Sequence, residues 1–220
     1  MPNIGTPGAY VRRLATQRRL KAVFHFGVAV MFVLAPFFVS MAFQVPVGPL
    51  VYLLCLGAAA WLGFNGRYLL NRAKGADQGA RAEEQVSRLL APLEKEGWHI
   101  EYNLKLPYGG DVDAFLMSPK SNAYIVEVKS HAGEIVFDTN QLKRRRGHPL
   151  EKDFIKQVLR QVMAVKKLKR LRWVTALLTF TRARVNIDQP DSKVRDVYVV
   201  EGIFLQQRLR QLDNNYPMRR

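Results

Sequence analysis

The sequence predicts an α/β chain of the α+β type in two parts: an apolar two-helix hairpin, then a small domain of mixed sheet flanked by helices. Three observations carry that expectation. From Ala22 to Gly66, 45 residues pass without Asp, Glu, Lys or Arg, long enough for two membrane crossings. Beyond Asp77, segments of helical and strand periodicity alternate, as they do in layered α/β domains. The charge is lopsided as well: +16, from 34 Lys+Arg against 18 Asp+Glu, with no acidic residue before Asp77. Such an excess points to phosphate-bearing partners, either nucleic acid or an anionic membrane surface. Other classes are closed off. A hydrophobic content of 48% excludes a disordered chain. One cysteine, Cys55, excludes an intrachain disulfide framework and a Cys-rich zinc site.

Taken in order, residues 1–21 form a basic cytoplasmic segment carrying Arg12, Arg13, Arg18, Arg19 and Lys21. The transmembrane hairpin spans 22–66. Its first span, about 22–43, would be roughly 33 Å long as a helix, enough to cross the hydrocarbon, and Pro36 bends it without forbidding it. Two prolines and a glycine in Gln44–Pro49 read as a tight turn. The second span, about 49–66, is short and extends by snorkelling of Arg67 beside Tyr68. Basic residues flank both spans and the turn has none, so the positive-inside rule places both termini in the cytoplasm, at the inner (cytoplasmic) membrane. Residues 22–66 meet the bilayer, and Arg12–Lys21 and Arg67–Lys74 meet anionic lipid headgroups. Ser40-Met41-Ala42 resembles a signal-peptidase site, but the apolar run is longer than a signal peptide's and a second apolar segment follows at once.

Residues 67–76 read as a linker or short helical extension, 77–212 as the folded domain and 213–220 as a tail. Ala80–Glu96 is a helix with Val86, Leu89, Leu90 and Leu93 as its apolar stripe, stopped at Gly97. His99–Leu106 and Asp111–Met117 alternate as hairpin strands around Pro107–Gly110. Ala123–Ser130 is a third strand and Glu134–Asp138 a fourth. The basic run Lys143, Arg144, Arg145, Arg146 is expected in a loop. Glu151–Leu171 is a helix whose apolar face carries Phe154, Val158, Val162, Val165 and Leu168. Two strands at Val174–Thr181 and Val197–Val200 and a helix at Ile203–Leu212 complete the domain.

The chemistry concentrates in Tyr124–Ser130. Side chains alternate along a strand, so Glu127 and Lys129 share one face of an otherwise apolar segment. Burying charge costs several kcal/mol per ion, on the order of the stability of a domain, unless it is paired or metal-bound. Asp111 and Asp113 repeat the oddity on the preceding strand. Neighbouring strands can therefore bring Asp113, Glu127 and Lys129 to one point. Two carboxylates suit Mg²⁺ or Mn²⁺, and a lysine beside them can orient a metal-bound water, the equipment of phosphodiester hydrolysis. Either short motif by itself also suits a structural carboxylate–lysine pair on a half-exposed edge strand.

The combination Ala82-Glu-Glu-Gln-Val86, Gly110-Asp-Val-Asp-Ala114, Ile125-Val-Glu-Val-Lys-Ser-His131 with Gly133, and Gln157 and Gln161 on a following helix resembles the nuclease-related domain (NERD) family. That family lies within the PD-(D/E)xK nucleases, whose core is restriction-endonuclease-like. The likeness covers about residues 77–180. It implies that Asp113, Glu127 and a helix glutamate hold Mg²⁺ (or Mn²⁺), that Lys129 is the catalytic lysine, and that Gln157 supports the lysine or the DNA backbone. Asp113 is implied over Asp111 as the second acid of its pair. Of the adjacent acids, Glu83 shares a face with Val86 and Leu90, whereas Glu84 sits four before Arg88, a solvent-side pairing; Glu83 is the choice. His131 reads as an exposed loop residue that could reach a phosphate.

Lys143, Arg144, Arg145, Arg146, Lys166 and Lys167, with Lys169, Arg170 and Arg172 behind them, would bind a phosphate backbone without reading sequence. The expected function is a membrane-anchored, metal-dependent nuclease acting on nucleic acid, DNA in the first instance. The alternative is a non-catalytic tether holding nucleic acid or a partner protein at the membrane through the same fold. A third reading, a membrane-assembly factor, would use the charge on lipid headgroups alone.

Overall fold

The computed structural model describes residues 8–107, 109–145, 150, 152–188 and 190–215. It divides into two compact units, Tyr10–Gln78 and Gly79–Arg220, the latter together with the chain's first residues through Ala9.

In the first unit, helix α1 (Ala9–Phe43) faces the first part of α2 (Pro49–Lys95). Helix α1 begins well before residue 22, so the basic residues from Arg12 to Lys21 are helical. Residues 67–76 likewise lie inside α2, which continues through Gly75 and Gly79 without a break. Two glycines cost only about 1 kcal/mol each in a helix interior, too little to end one of 47 residues. Small side chains are buried at seven-residue intervals: Ala15 and Ala22 on α1, Ala59 and Ala73 with Gly66 between them on α2. A Cβ added at Gly66 would stand 2.9 Å from the Phe26 ring. Arg18 Nη1 donates to the Arg72 carbonyl at 3.3 Å, and Arg19 pairs with Asp77. Meanwhile Phe24, Met31, Phe37, Leu53, Trp61 and Phe64 are exposed. Small residues inside and large apolar residues outside reverse the order of a water-soluble protein and match helices packed in lipid. Both helices are long and apolar enough to cross a membrane.

In the second unit the described residues form one seven-stranded mixed sheet: β1 (His99–Lys105), β2 (Asp111–Met117), β3 (Ala123–Asp138), β4 (Gln141–Arg144), β5 (Thr175–Asn186), β6 (Lys193–Val194) and β7 (Val197–Glu201). Spatial order is β1-β2-β3-β5-β7-β6, with β4 pairing β3. The β3–β5 and β5–β7 pairs are parallel, the rest antiparallel. Helix α3 (Phe154–Lys169) covers one face, where Val158 and Val165 bury against Ile125, Leu178 and Phe180. The end of α2 and helix α4 (Leu205–Asn215) cover the other, where Leu90, Leu93 and Leu209 meet Leu116, Tyr124 and Leu177. Each such side chain contributes roughly 1.5–3 kcal/mol by leaving water.

Several expectations are corrected. The third and fourth strands are one 16-residue strand, β3, with a register shift between Lys129 and Ala132 and Gly133 at φ 101°; the glycine permits a bulge where the sequence suggested a loop. Lys143 and Arg144 lie on a strand, not in a loop, because Thr139 (φ 47°) and Asn140 (φ 65°) close a two-residue hairpin between β3 and β4. Leu168 is exposed, and buried Gln161 takes a place among the core residues of α3. The expected tail begins inside α4: Asp213 is buried, accepting from Asn122 Nδ2 at 2.8 Å and Tyr124 Oη at 3.2 Å.

Candidate active site

The β2–β3 ladder runs from Met117↔Ala123 to Ala114↔Val126 and then stops. The strands part just where Asp113 and Glu127 follow. The Val128 N–H, which has lost a neighbouring-strand carbonyl, donates instead to Asp113 Oδ2 at 2.6 Å. The sheet thus opens a fork and fills it with a carboxylate.

Glu127 is 4% exposed, and donors surround it. Lys129 Nζ at 2.5 Å and Gln157 Nε2 at 2.7 Å share Oε1, while Gln161 Nε2 at 2.7 Å takes Oε2. Gln157 and Gln161 are four apart on α3, so one helical face presents both amides to the carboxylate. The Gln161 amide also donates to the Asp111 carbonyl at 2.9 Å, but its buried Oε1 has no hydrogen-bond partner among the described residues. Lys129 Nζ lies 4.9 Å from the centre of the Phe154 ring, a face that favours a cation. His131 is not an exposed loop residue: it sits on β3, with its ring edge-on to Phe154 at 5.3 Å and Phe180 at 6.3 Å.

Burial holds the Asp113 carboxyl well above the usual carboxylate range, and the charges of Glu127 and Glu83 push it further; the Val128 N–H and Lys129 oppose them. Asp111 lies at the surface, paired with Lys105 at 2.7 Å. Glu83 is also raised, by burial above all, with the charges of Asp111, Glu127 and Glu84 adding to it. The Gly8 N–H pulls the other way, donating to Glu83 Oε2 at 2.9 Å. Gly8 has φ 72°, and a Cβ there would lie 2.9 Å from the Ala80 carbonyl oxygen, so this close approach needs glycine. Arg88 reaches the main-chain carbonyl of Glu84 at 3.4 Å.

The donor set suits a hard divalent cation in part. Asp113 and Glu127 supply oxygens, burial and then the charge of Glu127 raise Asp113, and the Gln161 oxygen, which has no partner among the described residues, suits an ordered water. Mg²⁺ commonly takes one or two carboxylates and keeps several waters. The expected three-carboxylate set with Glu83 is not assembled: among the described residues no three His, Cys, Asp or Glu side chains are grouped to hold a metal ion.

The basic residues divide. Lys143 pairs with Asp138 at 3.0 Å and Arg145 with Glu134 at 2.7 Å; Arg144 is exposed, and Arg146 lies outside the described residues. Lys166 lies over the Trp173 ring at 5.3 Å. Lys169 turns inward to Glu101 at 2.6 Å and over Phe115, which removes it from the phosphate-facing set. A cleft of about 760 Å³ opens between the β1–β2 turn and α3, with Glu127, Gln157 and Gln161 at its wall and Arg160 and Lys167 along it. Sequence reasoning did not single out Arg160, although its place three residues after Gln157 could have signalled it.

Residues 78–181 match the family described as nuclease-related domain, the segment that contains the fork, both glutamines and the cleft. No curated protein and no solved structure gives a match to the chain.

Proposed function

From a segment, residues 78–181, that belongs to the nuclease-related domain family, we propose that the chain is a membrane-anchored, divalent-metal-dependent nuclease that hydrolyses DNA with little sequence specificity. The observation that carries the reading is the fork: Asp113, Glu127 and Lys129 lie where β2 and β3 part, and Glu127 stands at the wall of an open cleft. Asp113 and Glu127 would hold Mg²⁺ or Mn²⁺, with Glu83 beside them. Such an ion, when bound, polarises the scissile phosphate and acidifies a water. Lys129, released from Glu127, would position the attacking water. The water's oxygen would bond to phosphorus as the P–O bond to the leaving sugar breaks; one proton of that water would pass to bulk solvent and the leaving oxygen would take one up from it, giving a phosphate monoester and a sugar hydroxyl. Gln157 and Gln161 fix the orientation of Glu127 throughout. Lys166, Lys167, Arg144 and Arg146 would contact backbone phosphates; Lys143 and Arg145 would join them, since exposed ion pairs hold their partners by only about 0–1 kcal/mol. Residues 22–66 would cross the inner membrane with both termini cytoplasmic, and the basic residues of Arg12–Lys21 and Arg67–Lys74 would meet anionic headgroups.

A second reading, a non-catalytic tether for nucleic acid or a partner protein, is favoured by one observation: Glu127 is already satisfied by three donors. Cleavage of linear and circular DNA by the full chain in detergent micelles, with Mg²⁺, Mn²⁺ or EDTA, decides between them. The nuclease requires metal-dependent cutting that Lys129→Ala and Asp113→Ala each reduce on the order of 10²–10⁴-fold. Absence of cutting, with salt-sensitive binding indifferent to EDTA and to Asp113→Ala, would establish the tether instead.

A further inference from the structure

The cleft beside the fork has a composition that a duplex backbone does not explain. Along α3 two ridges face it. The inner ridge, Gln157, Gln161 and Ala164, runs at spacings of four and three and ends at Glu127. The outer ridge, Arg160, Met163 and Lys167, runs at three and four. Met163 is 66% exposed and belongs to neither hydrophobic core. Leu106, from the turn after β1, lines the cleft with it. Arg160 forms no ion pair among the described residues, and Arg160 and Lys167 are exposed. At 1.5 Å per residue the two cations stand roughly 10 Å apart along the helix axis, with the thioether between them.

Cation, apolar face, cation is the order that one unstacked nucleotide presents: phosphate, base, phosphate. A duplex hides its base faces and offers phosphates alone, leaving the exposed Met163 side chain without a partner, whereas an unpaired base stacks on an apolar or polarisable surface regardless of its identity. We infer that this cleft is a subsite for one unpaired nucleotide, with Met163 against the base and Arg160 and Lys167 on the flanking phosphates. The substrate class is therefore single-stranded nucleic acid, as a free strand, a flap or a frayed end. The inference rests on the proposed nuclease for its catalytic meaning, but the subsite itself is a binding claim.

The test is fluorescence anisotropy with the full chain in detergent micelles and EDTA, using a labelled oligonucleotide as single strand and as duplex, in DNA and RNA forms. Wild type should bind at least one single strand about tenfold more tightly than its duplex. Met163→Glu and Arg160→Ala should each weaken single-strand binding more than duplex binding, and so remove most of that preference. Both side chains are exposed, so both variants should fold, which circular dichroism checks. Equal affinities, a duplex preference, or variants that retain wild-type selectivity would overturn the subsite. The same oligonucleotides are then given Mg²⁺. Strand-selective binding without cleavage anywhere supports the subsite and sinks the nuclease; duplex cleavage without strand preference does the reverse.

Discussion

Glu127 shows how little of a site's behaviour resides in one residue. Burial, and after it the charges of Glu127 and Glu83, decide what Asp113 does. Asp113 and Glu83 carry folded-state pKa values raised above their ordinary ones, chiefly by burial. In the window between the ordinary and the raised value, the native carboxyl still holds a proton that the unfolded chain has released. Without metal, stability from these groups is therefore fully present below the ordinary carboxylate range and is lost as pH rises through the folded values. In EDTA, Asp113→Asn should gain stability relative to wild type as pH climbs from about 4 to about 7. Thermal melts of both proteins across that range check it, and a constant or shrinking difference would refute it. Strand alternation, with the two strands read as neighbours, was enough to bring Asp113, Glu127 and Lys129 to one place, because it fixes which residues of each strand share a face. It could not place Lys169, whose charge is absorbed by Glu101, 68 positions earlier. Nor could it tell that Gln161 is a core residue whose amide holds Glu127, since a polar residue beside an apolar ridge reads equally as solvent-facing.

At the scale of elements, α3 is the part on which the site depends, since it carries both glutamines and both ridges of the cleft. Its first turn is held by Asp153, whose side chain accepts from the Lys156 N–H at 3.0 Å. Asp153→Ala should cost about 1 kcal/mol of unfolding free energy, and Asp153→Ser most of that less. Chemical denaturation of the three proteins measures the difference; equal stability would mean that the cap is dispensable. Elements with a strong period, such as α3 and β2, were legible in the sequence. Those made by a local backbone choice were not. The β3–β4 hairpin depends on Thr139 accepting a positive φ, which a β-branched residue rarely does, and the bulge in β3 looks in sequence like a loop ending at Gly133.

For the whole molecule, the 45 uncharged residues and their basic flanks made the apolar helices plain, while the seven-residue rhythm of Ala15, Ala22, Ala59 and Ala73 became visible only once burial was known. If that hairpin spans the bilayer, the chain should remain in the membrane fraction after washes at high salt and at alkaline pH, and leave it only with detergent. Release by salt alone would mean that it is held by headgroup charge, not by insertion. The backbone donor at Gly8 has a consequence for anyone who would cut the molecule in two. A soluble piece beginning near residue 79 would retain every side chain of the fork and still lack the amide that restrains Glu83. Its Glu83 would lose that donor and gain water in its place, so the pH dependence of any metal-dependent cleavage would differ from that of the intact chain. Comparing the two pH profiles would reveal whether the amino terminus is merely a leader into the first helix or a working part of the catalytic unit.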